Sequence, residues 1–170
     1  AGLPGDWHRA AILWAEKVED PASARRAFER ASAIDPSYAD VFERLQAIYV
    51  AEGARGELAE LLRRRLEIVT DPSERVEMEV LRGRALAEVG DRLMAKDALA
   101  AALEGNPDHV EALSAYADLC AADDDWVGAE GAWIRLARLV ARKGKGSLLV
   151  PIDHTESYTE TLKPFIYIFL

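Results

Sequence analysis

The stretch Val89–Leu113, VGDRLMAKDALAAALEGNPDHVEAL, sets a Gly-Asp pair ahead of apolar residues at helical spacing and closes that run with Asn-Pro. Gly90 suits the positive φ that ends one helix. Asp91 suits the position that caps the next, because its carboxylate accepts backbone N–H groups of the first turn. Pro107 stops that helix, since its ring cannot continue the turn and it has no N–H to donate. Asp108 is expected to reopen the chain into a further helix. The stretch therefore reads as helix end, turn, helix and stop, with Ala95, Leu99 and Ala102 lying twelve, eight and five residues before Pro107.

The same offsets return at Pro36, where Ala24, Phe28 and Ala31 precede the proline by twelve, eight and five residues. Extended from these anchors, the pattern gives four units starting near Gly5, Ala39, Val76 and Val110, spaced 34, 37 and 34 residues apart. Each unit reads as two helices. The first helices are expected over His8–Val18, Ala39–Glu52, Ser73–Val89 and Asp108–Ala122, and the second over Ala22–Ile34, Glu57–Val69, Leu93–Leu103 and Val127–Ala141. Apolar residues recur at helical spacing, as in Leu58, Leu61, Leu62, Leu66 and Val69. Breakers such as EDP, EGARG, TDP, VGD, GNP and ADDD stand between them.

The third unit carries Gly83, Leu86, Gly90, Asp91, Ala95, Leu99, Ala102 and Pro107; the fourth carries Leu113, Tyr116, Ala117, Cys120, Trp126, Ala129 and Trp133; the second carries Phe42, Leu45, Tyr49, Gly53, Leu58 and Leu62. On these residues the chain resembles the tetratricopeptide repeat, a 34-residue helix–turn–helix unit, over residues 5–140. The resemblance implies an all-α fold, a right-handed superhelix of four hairpins over 5–141, with units 5–38, 39–75, 76–109 and 110–141. Two departures stand out. Arg65 occupies a place where a small Ala is usual and three extra residues follow, so the second helix of that unit is expected to run longer or to pack less closely. Ile12 replaces the usual Gly or Ala of the first unit.

In this family the first helix of each unit lines a concave groove, and stacked hairpins supply a continuous one. The resemblance places Arg9, Leu13, Glu16 and Lys17 of the first unit there, with Asp40, Glu43, Arg44, Ala47, Val50 and Ala51 of the second. From the third it places Glu77, Leu81 and Arg84, with Val80 beside them, and from the fourth Glu111 and Asp118. This is an apolar floor with acidic edges. Relatives that clamp a peptide's terminal carboxylates use Lys, Arg and Asn at matching places, whereas this chain has Asp40, Glu43, Glu77 and Asp118. The expected partner is a protein or peptide segment with apolar anchors and basic flanks. The expected function is a protein-interaction scaffold; a regulatory or substrate-docking region of a larger enzyme and a self-assembling scaffold are the alternatives.

Composition agrees with a folded chain. Half of its 170 residues are hydrophobic and 30% are charged, too apolar for disorder. A net charge of −9 argues against nucleic acid and anionic membrane as partners. Cys120 is the only cysteine, so no internal disulfide can form, and a cytoplasmic location is expected. The opening AGLPGDWHRA lacks the basic and apolar regions of a signal peptide.

No catalytic, metal or cofactor chemistry is expected. His8, His109 and His154 are scattered, whereas a metal needs converging ligands. Asp123, Asp124 and Asp125 fall on a turn and lack the closing Glu of a calcium loop, so they are read as a helix stop and cap. Cys120 is expected to be a buried, inert thiol. Trp7, Trp14, Trp126 and Trp133 are read as core and end-cap residues. Beyond a Gly/Lys joint at 142–147, the tail 148–170 loses Ala and gathers Ile, Tyr, Thr and Phe. It reads as a vector-derived or frame-shifted end, a capping segment, or an interaction segment through which copies self-associate.

Overall fold

The computed structural model describes residues 4–18 and 20–143. Arg142 and Lys143, expected to begin the joint, instead end the last helix; the rest of the joint, the tail and His154 lie outside these residues. The chain divides into two units, Ala1–Ala137 and Arg138–Leu170. In the second, the described part is the end of a helix that begins in the first.

Eight α-helices occur among the described residues: α1 (Pro4–Leu13), α2 (Pro21–Ile34), α3 (Ala39–Glu52), α4 (Arg55–Leu66), α5 (Pro72–Val89), α6 (Arg92–Gly105), α7 (Val110–Ala122) and α8 (Trp126–Lys143). A π-helical turn, Trp14–Val18, continues α1. Consecutive helices pack as hairpins, α1 on α2 and α5 on α6, and successive hairpins stack through α2–α3, α4–α5 and α6–α7. The order is that of an all-α right-handed solenoid.

The opening stretch folds as its chemistry dictates. Gly90 has φ 91° and ends α5. Asp91 caps α6 by accepting from the Met94 N–H at 3.2 Å. The same device recurs wherever an Asp precedes a helix: Asp20 accepts from Ser23 N, Asp71 from Glu74 N, and Asp125 from Gly128 N. Ala95, Leu99 and Ala102 are fully buried. Gly83 lies under Leu99: a Cβ there would stand 2.7 Å from Leu99 Cγ and 3.2 Å from the Ala95 carbonyl. Only a glycine allows α5 and α6 to approach that closely.

One core cluster runs from Ala11 through Phe28, Val41, Leu45 and Leu62 to Ala85; a second joins Val76, Val80, Leu99, Ala102 and Ala112. Regular clips join successive units. Arg55, at the start of α4, reaches Glu88 of α5 at 2.6 Å, and Arg92, at the start of α6, reaches Asp123 beyond α7 at 3.1 Å. The third unit departs in one respect. Where the second and fourth have Phe42 and Leu45 or Leu113 and Tyr116, it has Glu79 and Arg82, paired at 3.1 Å with little exposure.

Several expectations are corrected. The first helix begins at Pro4, ahead of His8, and its last turn is π-helical. The helix α4 ends at Leu66, not Val69, so the extra residues of the second unit lengthen the connection, where Val69 N donates to Arg65 O, and not the helix. Arg65 is accommodated by laying its guanidinium over the Phe42 ring, 5.4 Å from the centroid, and by donating to the Ser37 carbonyl. His109, not Asp108, caps α7, its Nδ1 accepting from Ala112 N at 3.2 Å. None of the tryptophans is fully buried: Trp7, Trp14 and Trp126 are exposed, Trp126 by 55%, and Trp133 is half-buried.

Candidate functional site

The residues assigned to a groove lie on α1, α3, α5 and α7, and several meet across unit boundaries. His8 Nε2 of α1 lies 2.5 Å from Asp40 Oδ2 of α3, its ring against Phe28 and Tyr38. Arg44 donates to both oxygens of the same carboxylate at 3.2 Å. The bond from His8, then that from Arg44, holds the Asp40 carboxyl below the usual carboxylate range. Two units later, His109 stands 3.2 Å from Glu77, and Arg84 donates to Glu111 at 3.5 Å. The acidic edge is therefore partly neutralised by neighbouring units.

Leu13 and Val50 are exposed, by 56% and 45%, and Ala47, one turn before Val50 on α3, is exposed as well. Arg9 and Glu43 are exposed as well. Asp118 is half-buried on α7, and Leu81 is half-buried against the first core cluster. Val80 is a correction: it is 3% exposed and belongs to the second cluster, so it offers nothing to a ligand.

The residues that shape the surface most were not singled out by helical position alone. A cleft of about 620 Å³ opens between the π-helical turn, the start of α2 and the face of α3. Ala15, Pro21, Ala24 and Phe28 form one wall, and Arg44, Ala47, Ile48, Ala51 and Glu52 the other. Of the assigned groove residues, Arg44, Ala47 and Ala51 line it. The guanidinium of Arg44 lies 5.8 Å from the Phe28 centroid, over a ring that is itself buried. The sequence does hold a signal for the cleft: thirty-four residues before the ring-filled Tyr49 stands Ala15.

A second recess, of about 460 Å³, lies between α2 and α4 on either side of Tyr49. There the Tyr49 hydroxyl donates to Glu29 at 3.1 Å beneath Arg25, and burial pushes its pKa up to about 12. Its rim carboxylates Glu29 and Glu60 are taken up by Arg25, Arg63 and Arg64. Hydrogen bonds from Arg63 and Arg64 pull Glu60 down to about 2.

Cys120 is fully buried, and burial raises its thiol pKa, which keeps it protonated and unreactive. The Asp123–Asp125 run closes α7 and caps α8: Asp124 takes φ 59°, and the Asp123 carboxylate binds Lys96 and Arg92. Among the described residues no group of three or more His, Cys, Asp or Glu is placed to hold a metal ion. No helix among them is long and apolar enough to cross a membrane.

No protein-family model matches the chain, and no curated protein matches it in sequence. Solved structures do match in fold. Residues 41 to the end of MamA from Desulfovibrio magneticus RS-1 superpose with a TM-score of 0.58 at 14% identity, covering 85% of this chain and 78% of that one. The C-terminal part of a TPR repeat-containing protein from Cytophaga hutchinsonii gives 0.60 at 17% identity, over 84% of this chain and 55% of that one. Pseudomonas aeruginosa pilF gives 0.56 at 18%, over 84% and 68%. The fold is that of a tetratricopeptide-repeat solenoid.

Proposed function

We propose that the chain is a protein-interaction module that holds an extended or helical partner segment along the face of α1, α3, α5 and α7. The reading is one of binding, with no bond made or broken. The observation that carries it is the cleft lined by Arg44 and Ala47 of α3, on a helix that also exposes Val50, while α1 exposes Leu13. A concave site with apolar and charged lining is the pattern of a binding face. Arg9, Asp40, Glu43, Arg44, Glu77, Leu81, Arg84, Glu111 and Asp118 supply the rim, and the chain's net charge of −9 favours basic flanks on the partner. The solenoid neighbours support a scaffold in general terms.

Selection from a displayed library of random peptides tests this, with the full chain as target. The double variant Leu13→Glu/Val50→Glu charges the face without entering the core. Peptides selected on the parent should combine an apolar residue with Lys or Arg, and bind the variant at least tenfold more weakly. Equal binding to both proteins would overturn the reading.

A further inference from the structure

The first unit differs from the others at one place. The position that carries Tyr49, Leu86 and Cys120 in the second, third and fourth units carries Ala15. Tyr49 and Cys120 are buried there, and Leu86 is half-buried. Ala15 sits in the π-helical turn, where the backbone is wider than an α-helix, a geometry that recurs at binding sites. A methyl thus stands where the other units carry a larger side chain, and Ala15 lines an open cleft above Phe28. At about 620 Å³ the cleft is open to solvent and roomy enough to receive a side chain of a partner.

We propose that this cleft is the anchor pocket of the module and takes one aromatic side chain of the partner, next to a Lys or Arg. The proposal rests on the interaction reading above and names the site at which specificity is set. Four lining residues are alanines, so no bulky side chain competes for the space. The floor is the buried Phe28 ring, and the accessible Arg44 guanidinium beside it offers a flat cation to an incoming ring. Charge sets the flank. Glu16 follows Ala15 and Glu43 precedes Arg44; both are exposed and have no cation partner among the described residues, and Lys17 offsets only one of them. Glu52, at the other end of the cleft, is held by Arg25.

The alanines also supply the readout. The full chain, labelled with ¹³C at its Ala methyls, is titrated with N-acetyl-tryptophanamide and with the dipeptide amide Lys-Trp-NH₂. Saturable shifts are expected at Ala15, Ala24, Ala47 and Ala51 and not at the core residues Ala95, Ala102 and Ala112. The dipeptide should bind several-fold more tightly, an advantage that added salt removes. Ala15→Tyr, which restores the side chain of the other units, should weaken both probes at least tenfold without lowering the melting temperature. Ala47→Phe, at an exposed position, closes the cleft from its opposite wall and should do the same. Shifts spread over the core alanines, or unchanged titrations in both variants, would overturn the proposal. Selected peptides that lose binding with Leu13→Glu/Val50→Glu but bind Ala15→Tyr like the parent would overturn the anchor pocket and leave the interaction reading standing. Probe binding in the cleft with peptides indifferent to the double variant would overturn the interaction reading, and the anchor role with it.

Discussion

Helices α1 and α5 hold the same place in their units, yet they close on their partners differently. In the third unit Gly83 lets Leu99 and the Ala95 carbonyl come within the radius of an absent Cβ, and Leu86 fills the next turn. In the first unit the corresponding residues are Ile12 and Ala15, opposite Phe28 and Ala24. Ile12 is half-buried, the helix widens into a π-turn from Trp14, and Ala15, the counterpart of Leu86, lines an open cleft. Small residues are present in both units; where they stand decides whether the space between helices is closed or left for a ligand.

The largest effect should come from Leu99, which is fully buried over Gly83. Leu99→Ala is expected to cost about 2–5 kcal/mol in urea unfolding, through lost burial and the cavity left behind. Ile12→Ala, at the half-buried counterpart, should cost less than half as much. Equal losses would show that the first unit is packed as tightly as the third and break the comparison.

Gly83→Ala comes next. The added Cβ meets Leu99 Cγ at 2.7 Å and backbone at 3.2 Å, so a loss of about 1–3 kcal/mol is expected. Because the clash is with Leu99, the double variant Gly83→Ala/Leu99→Ala should lose less than the two singles added together. Strict additivity would place the strain elsewhere.

The filled counterpart of Ala15 gives a smaller effect. Tyr49→Phe keeps the ring and removes the hydroxyl's bond to Glu29, a loss of about 1 kcal/mol at neutral pH. The raised pKa of Tyr49 has a definite sign: folding favours the neutral phenol, so its contribution is complete below pH 10 and is lost as pH rises through about 12. The parent should lose stability relative to Tyr49→Phe across that window, read from thermal unfolding, with phenolate absorbance reporting the delayed ionisation. Parallel curves would mean that the ring is not held in a dry site.

Much of the fold was legible because its determinants are local or repeat at fixed offsets. Ala24, Phe28 and Ala31 before Pro36, and their counterparts before Pro107, are all in the core. Asp91 and Gly90 act within their own turn. What escaped the sequence depends on groups brought together from different units. The cleft is defined by an absence at Ala15, and its walls come from α2 and α3. Arg65 fits because Phe42, in another helix, offers its ring. His109 displaces Asp108 as a cap through a choice between neighbours that spacing cannot make. The core part of the tryptophan reading fails because Trp7, Trp14 and Trp126 are exposed, and Trp133 is only half-buried.

The smallest effect separates the two histidine junctions. His8–Asp40 ties the first unit to the second at 2.5 Å, and His109–Glu77 ties the third to the fourth at 3.2 Å with Glu77 well exposed. Asp40 also receives Arg44, and its carboxyl is held below its ordinary value of 3.8. A depressed carboxyl pKa stabilises the fold above the ordinary value, and that contribution disappears as pH falls through the lowered one. Both carboxylates are solvent-screened, so neither substitution should exceed about 1 kcal/mol. Asp40→Asn should nonetheless cost more than Glu77→Gln at neutral pH. Its deficit should shrink once the pH drops below 3.8, because the parent's carboxyl is then becoming neutral as well. Melting temperatures of the parent and both variants between pH 7 and pH 2 measure this directly. A deficit for Asp40→Asn that stayed constant to the acid limit would show that the residue acts through packing between the two units and not through its charge. The first junction would then differ from the last in shape alone.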